Sequence, residues 1–181
     1  GSFTLISGKL SRIGYTLAYV LRKPENPKLA DFLTNLQERL GVHFISDKPR
    51  HKSAVECVKA LSSGKAIYLM CDVRVNPQNG VEVNFFNRPA YTFTGPVILS
   101  MRTGAPIVPL VIVQEGKKKH KILVGDIIPL ELTDDKQLDI KRNTENIVRT
   151  TEAYIRRYPE QYWWLHNRWN LKKEEMDPQS N

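Results

Sequence analysis

The chain has 181 residues, of which 41% are hydrophobic and 25% charged, a composition that excludes disorder over most of its length. It holds no apolar run of about 18 residues, so no membrane-spanning segment is predicted. The formal net charge is +8, and residues 1–65 contribute +6 of it. A basic region of this kind suits an acidic protein, a phospholipid surface, a phosphorylated substrate or nucleic acid, or is only a soluble surface.

The first half of the chain alternates helical and strand patterns. The predicted order is a helix over 3–13, a buried strand over 15–21, a helix that Asn26 caps and Pro27 begins, a strand over 42–45, a helix over 53–62 and a buried strand over 66–71. Strands that alternate with helices predict a parallel sheet with crossover connections. Two buried helix faces are expected, one formed by Leu29, Phe32, Leu33, Leu36 and Leu40, the other by Ala54, Cys57, Val58 and Leu61.

The second half contains a predicted hairpin and a long helix. Residues 81–85 alternate weakly and residues 95–102 suit a short helix, while strand 107–113 is expected to pair with 121–124 across a basic turn. A helix is predicted from Asp134 or Asp135 to Pro159, with a buried stripe of Ile140, Thr144, Ile147, Val148, Thr151 and Ile155. The fold class is therefore α/β, with a central, mostly parallel sheet flanked by helices.

Charged residues follow two of the predicted strands. Arg22 and Lys23 end the first of them, and Asp72 and Arg74 follow the strand over 66–71. Ligands of open α/β sheets bind at the carboxyl ends of strands, and arginine binds phosphate in a forked geometry. Arg22 and Arg74 are therefore candidate ligands for a phosphate or a lipid headgroup, or else the four residues form a solvated charge cluster. The four histidines are scattered, no standard nucleophile motif is present, and no metal or cofactor is predicted.

Several blocks of the sequence resemble the lipid A late acyltransferases, within the lysophospholipid acyltransferase superfamily. The blocks, in order, are 19–27 with its Arg-Lys-Pro-Glu-Asn-Pro, Asp72 after the central strand, 81–90 with its Phe-Phe-Asn-Arg-Pro-Ala, 102–109 with its Thr-Gly-Ala-Pro-Ile-Val-Pro, and 159–169 with its Pro-Glu-Gln-Tyr-Trp-Trp-Leu-His-Asn-Arg-Trp. The resemblance implies a glycerol-3-phosphate/lysophospholipid acyltransferase-like fold. It covers nearly the whole chain as a single domain over 1–171, followed by a polar tail over 172–181.

The resemblance also implies an activity and its partners. It points to acyl transfer from acyl carrier protein to a hydroxyl of an anionic glycolipid or phospholipid acceptor, as in lipid A biosynthesis, at the cytoplasmic face of the bacterial inner membrane. Peripheral contact with the membrane surface is expected, and nucleic acid is not. The substrate-binding residues that it implies are Arg22, Lys23, Asp72, Arg74, Phe86, Pro106, Pro109, His166 and Arg168.

Catalysis in the resembling family needs a histidine and a carboxylate with the spacing His-x4-Asp/Glu. If Gly1-Ser2-Phe3-Thr4 corresponds to the second half of that motif, the histidine precedes Gly1 and Thr4 occupies the acidic position. The chain is then expected to lack the N-terminal part of its parent and a complete catalytic pair, and to be inactive alone. If Gly1-Ser2 is instead a cloning scar, the match there is accidental.

Two other functions remain open at the level of sequence. The first alternative to an acyltransferase is a catalytically silent relative that binds lipid or acyl carrier protein. A basic nucleic-acid-binding domain is a third reading with little support, because the aromatic residues are not interleaved with the basic runs.

Overall fold

The computed structural model describes residues 3–21, 24–39, 41–117 and 119–169. Its secondary structure is mixed α/β, which confirms the predicted fold class. The chain divides into two compact units, the first made of Gly1–Leu69 with Met101–Ala105 and the second of Met70–Ser100 with Pro106–Asn181. The expectation of one domain over 1–171 stays a prediction.

The first unit is built on a parallel three-stranded sheet. Its elements are α1 (Phe3–Arg12), β1 (Leu17–Leu21), α2 (Pro27–Arg39), β2 (His43–Ser46), α3 (Arg50–Ser62) and β3 (Ala66–Tyr68). The strand order is β2-β1-β3, with Ala18 beside both His43 and Ile67. Central β1 buries Leu17, Ala18 and Tyr19. The Asn26 cap is confirmed, since its side-chain Oδ1 accepts the Leu29 N–H at 3.3 Å.

Three details of this unit differ from the sequence-based expectation. The third strand ends at Tyr68 rather than residue 71 and is only half-buried, because it is an edge strand that pairs with β1 alone. The apolar face of α2 is not buried as predicted, since Leu29 is 48% and Phe32 61% exposed, and Leu40 lies outside the described residues. Helix α3 buries Ser53, Cys57 and Ala60 and leaves Ala54 exposed.

The second unit consists of two hairpins and a long helix. The first hairpin pairs β4 (Gly80–Phe85) with β5 (Arg88–Phe93), and the second pairs β6 (Leu110–Glu115) with β7 (Lys119–Val124). Helix α4 (Gly95–Thr103) follows the first hairpin and α5 (Lys136–Arg157) follows the second, and single 3-10 turns cover Pro77–Asn79 and Pro159–Gln161. The predicted hairpin across the basic turn is confirmed, whereas β5 had not been predicted.

Helix α5 packs against the first hairpin of the second unit. Asp135 is its N-cap, and the Asp135 carboxylate accepts the N–H groups of Gln137 and Leu138. The predicted stripe is confirmed at Ile140, Thr144, Ile147, Val148 and Ile155, which are all buried. Val148 and Ile155 pack with Val83, Phe85 and Ala90 of the first hairpin. Burial of such side chains stabilises the unit by roughly 1.5–3 kcal/mol each, so this cluster fixes the hairpin on the helix.

Candidate functional site

The predicted site residues of the second unit lie around the segment that follows α5. The residues Gln161–Trp169 run back past the start of the unit and the first hairpin. The imidazole of His166 accepts the Arg74 N–H at Nε2, at 2.8 Å, and the Tyr162 hydroxyl donates to the Asp72 carbonyl at 3.3 Å. Asp72 and Arg74, which follow a predicted strand, are therefore bonded to the closing block, although about 90 residues separate the partners in sequence.

Arg168 forms the centre of this arrangement. It is 1% exposed, Nη1 donates to the Tyr91 carbonyl at 2.6 Å, and Nη2 donates to the Thr92 hydroxyl. Its guanidinium also lies over the Phe85 ring, with 5.2 Å from Cζ to the ring centre. Arg168 thus holds strand β5 against the closing segment. Its predicted contact with substrate stays a prediction, and the observed bonds favour a positioning role.

Burial shifts the titration of the groups around Arg168. Loss of hydration lowers the pKa of the Arg168 guanidinium, and the same cause raises the pKa of Cys71 and of Tyr162 to about 12. The nearby Asp72 carboxylate adds to both increases, and the Arg168 charge opposes them. Cys71 is therefore a neutral thiol near pH 7 rather than a nucleophile, and Tyr162 keeps the proton that it donates.

The histidine of this cluster is occupied as an acceptor. Because Nε2 of His166 takes the Arg74 N–H, the proton of the neutral imidazole is on Nδ1. His166 cannot take a proton through Nε2 without giving up that bond. A role as general base, which would need a free lone pair facing the acceptor hydroxyl, is not favoured by this geometry.

Phe86 lies in the tight turn between β4 and β5. Phe86 and Asn87 have φ angles of 50° and 60°, a conformation that L residues rarely adopt. The Phe86 N–H donates to the Glu152 carboxylate at 2.7 Å, and Arg156 lies over the ring at 4.8 Å. The rings of Phe85 and Trp164 also contact it, with ring centres 4.8 Å and 5.9 Å from that of Phe86. Helix α5 therefore stabilises a turn that would otherwise be strained by about 1–3 kcal/mol.

The remaining predicted site residues are Arg22, Lys23, Pro106 and Pro109, together with Thr4. Arg22 and Lys23 lie outside the described residues, as does the side chain of Thr4, so their roles stay predictions. Pro106 is exposed. The Pro109 carbonyl accepts the Gly125 N–H at 3.0 Å. A Cβ on Gly125 would lie 2.7 Å from the Pro109 ring and would overlap the Tyr154 hydroxyl. This close approach fixes the start of β6.

The spacing His-x4-Glu occurs once in the sequence, at His51 and Glu56, away from the N-terminal motif of the resembling family. Both residues are on α3 and exposed. Five residues along a helix turn through about 500°, so the two side chains leave different sides of it. They do not form the paired acid and base that catalysis needs, and the sequence match is a coincidence of spacing.

Two residues of the site went unrecognised in the sequence. Gln161 pairs with the backbone of Gln114 in β6, since its Oε1 accepts the Gln114 N–H at 2.7 Å and its Nε2 donates to the Gln114 carbonyl at 3.3 Å. The second residue is Glu152. It lies at the border of the buried stripe of α5 and accepts the Phe86 N–H. Neither periodicity nor composition distinguishes these polar side chains from solvated ones, because their partners are distant in sequence.

The described ranges, 3–21, 24–39, 41–117 and 119–169, bear on membrane insertion and metal binding. No helix there is long and apolar enough to cross a bilayer. Within the same ranges, no three side chains of His, Cys, Asp or Glu gather as a group that could hold a metal ion.

Comparison with known proteins agrees with the resemblance of the motifs. The model of the family described as bacterial lipid A biosynthesis acyltransferase matches residues 7–171. A curated relative, the lipid A biosynthesis lauroyltransferase of Escherichia coli (strain K12), is 30% identical over 156 residues. The aligned region covers 86% of this chain and 49% of the relative, so the chain spans about half the length of that protein.

Proposed function

Because the chain belongs to the bacterial lipid A biosynthesis acyltransferase family, we propose that it is part of an enzyme that moves a fatty acyl chain from acyl carrier protein to a hydroxyl of a glycolipid or phospholipid acceptor. The observation that carries the proposal is the family match over residues 7–171. That range includes all the resembling blocks of the sequence but not residues 1–4. The related lauroyltransferase makes lipid A biosynthesis the favoured context.

The reaction requires four events at one place. The acceptor hydroxyl loses its proton to a base, its oxygen bonds to the acyl carbon, the carbon–sulfur bond of the thioester breaks, and the thiol of the carrier leaves. A base and positive charge near the phosphate groups are the contributions that the protein must make. In this proposal Arg74 supplies positive charge from the second unit, His166 and Tyr162 hold the loop that carries Arg74, and Arg168 holds β5. Arg22 and Lys23 stay predicted ligands that belong to the first unit.

Three observations support a second-unit contribution of this kind. His166 fixes the backbone at Arg74 through the bond to its N–H, while the Arg74 side chain is at an exposed position. Arg168 fixes strand β5, and the Phe86 turn is held by Glu152. A phosphate ligand on a fixed backbone loses less conformational entropy when it binds, which favours Arg74 as a headgroup ligand. Pro106 and Pro109 would shape the backbone before the start of β6, beneath the acyl chain.

We also propose that these 181 residues alone transfer acyl groups only at background rates. Thr4 at the acidic position of the motif has no negative charge with which to orient a histidine. His51 and Glu56 cannot replace the pair, because they leave different sides of α3. Loss of general acid–base assistance costs roughly 10²–10⁴-fold in rate.

The alternative is a catalytically silent relative that binds lipid or acyl carrier protein. The same Thr4 favours it, since the fold and the arginines would serve binding without chemistry. In both versions the protein would work at the cytoplasmic face of the inner membrane as a peripheral protein, with membrane lipid and acyl carrier protein as its partners.

Acyl transfer from lauroyl-acyl carrier protein to a lipid A precursor tests the proposal, with the Escherichia coli lauroyltransferase as the active reference. The chain should bind the precursor yet show no turnover above background, and Arg74→Ala should weaken binding about tenfold. Arg74→Lys should not restore it if the guanidinium fork is needed. Arg142→Ala, on an exposed face of α5, is the matched control. Turnover like that of the reference would show that a base lies elsewhere in the chain, and absence of precursor binding would refute the assignment of acceptor.

A further inference from the structure

The closing segment holds two apolar side chains away from the protein. Its anchored side chains are Gln161 on β6, Tyr162 on the Asp72 carbonyl, Trp164 on the Pro159 carbonyl at 2.7 Å, His166 on the Arg74 N–H, and Arg168 on β5. Trp163 and Leu165 alternate with these anchors and are 68% and 91% exposed. We name these two residues the apolar tip. Because the anchors fix the backbone on both sides, the tip is held outward by the fold.

Basic side chains lie on the two elements next to the start of the tip, the second hairpin and the end of α5. Gln161, two residues before Trp163, is bonded to Gln114, and Gln114 lies opposite His120 in the second hairpin. The end of this hairpin carries exposed lysines, and the last turn of α5 carries two exposed arginines just before Pro159. We name as the basic rim the residues Lys117, Lys119, Lys121, Arg156 and Arg157.

Carboxylates neutralise only part of this rim. Glu115 lies 3.9 Å from Lys121, Glu152 lies 3.5 Å from Arg156, and Glu160 accepts a bond from the Gln161 amide. Among the described residues the five cations of the rim stand against these three carboxylates, so the elements that carry the rim keep a positive charge. The combination of exposed tryptophan and leucine with surplus lysine and arginine is typical of surfaces that enter the interface of a bilayer.

We propose that the apolar tip and the basic rim form a docking surface for an anionic phospholipid bilayer. The inference rests on the proposed function, in which the acceptor is a membrane lipid, and it names the surface that meets the membrane. Tryptophan prefers the headgroup level, and a lysine or arginine near an anionic membrane contributes about fivefold in affinity. An acidic protein would also be attracted by the rim. Binding of such a protein does not explain why a leucine is held rigidly in an almost fully exposed position.

Sedimentation with vesicles tests the surface without any acyl donor. Vesicles of phosphatidylcholine and vesicles with an equal amount of phosphatidylglycerol are compared at low and high salt. Trp163→Ala with Leu165→Ala should weaken binding to the anionic vesicles about tenfold or more, because the apolar area that enters the interface is lost. Lys117→Ala with Lys119→Ala should cost about fivefold for each charge and reduce the salt dependence.

Matched controls come from the other end of α5. Leu132 is an exposed leucine before the first turn of the helix, and Lys141 is an exposed lysine near it. Leu132→Ala and Lys141→Ala should leave vesicle binding within twofold. Quenching of tryptophan fluorescence by brominated lipid gives a second readout, since Trp163→Phe should keep the binding and lose most of the quenching.

Three outcomes would overturn the docking surface. They are no binding to anionic vesicles at low salt, equal losses for Leu165→Ala and Leu132→Ala, or rim substitutions that weaken binding to acyl carrier protein while vesicle binding is absent. The last outcome would assign the rim to an acidic protein. Failure here leaves binding of a detergent-dispersed lipid A precursor untouched, whereas failure of the proposed function leaves vesicle binding intact.

Discussion

Arg168→Ala is expected to destabilise the second unit by about 3 kcal/mol. The two hydrogen bonds from the guanidinium to Tyr91 and Thr92 are worth roughly 1.5–3 kcal/mol each, because the donor is charged. Burial of the charged guanidinium, which lowers the pKa of Arg168, offsets part of this gain. The Arg168 Nε adds to that cost, because it has no hydrogen-bond partner among the residues that the structure describes. That penalty, about 1–3 kcal/mol, disappears with the side chain. A loss of about 3 kcal/mol is a large part of the stability of an ordinary domain.

Denaturant unfolding followed by tryptophan fluorescence measures this loss, since Trp169 follows Arg168 and donates to the Phe85 carbonyl at 3.0 Å. Arg168→Lys keeps the charge but cannot fork, so about 2 kcal/mol should be lost. Arg142→Ala, at an exposed position of α5, should change the free energy of unfolding by less than about 0.5 kcal/mol. If Arg168→Ala changed it no more than Arg142→Ala, the guanidinium would not be holding β5 and the reasoning would be refuted.

Three further outcomes are expected from the same unfolding assay. Glu152→Ala should cost about 1–2 kcal/mol because the Phe86 N–H loses its acceptor, and Glu152→Gln, which keeps an acceptor oxygen, should cost less. Gly125→Ala should cost about 1–3 kcal/mol by overlap with the Tyr154 hydroxyl, and Tyr154→Phe in the same chain should recover part of it; an unchanged midpoint would show that this approach is looser. Burial raises the pKa of Tyr162 from 10.0 to about 12, so the unfolded chain releases the hydroxyl proton at a lower pH than the folded chain. The contribution of Tyr162 to stability is therefore complete below pH 10 and is lost as the pH rises towards 12. Tyr162→Phe should flatten that decline, and an alkaline profile identical to that of the unsubstituted chain would contradict the shift.

Most of the site could be suspected from the sequence but not assembled from it. The closing block marked His166 and Arg168 as functional candidates, and the strand-end pattern marked Asp72 and Arg74. The structure gives these residues different tasks, since His166 accepts from the Arg74 backbone and Arg168 is buried against β5. The three tryptophans lie within seven residues of each other in the closing block, yet Trp163 is exposed and Trp169 packs on the hydrophobic cluster of β4.

The sequence by itself determined the features that depend on neighbouring residues. The Asn26 and Asp135 caps, the period of α5 and the parallel order of the first strands follow from side chains a few positions apart, and the structure has them. Which faces are covered was decided by tertiary structure alone. An apolar stripe on a helix is the same whether or not a partner packs on it, so the exposed Phe32 of α2 and the buried Val148 of α5 could not be told apart by period. Burial and bonding at Arg168 likewise depend on a strand about 76 residues away, and no local pattern carries that information.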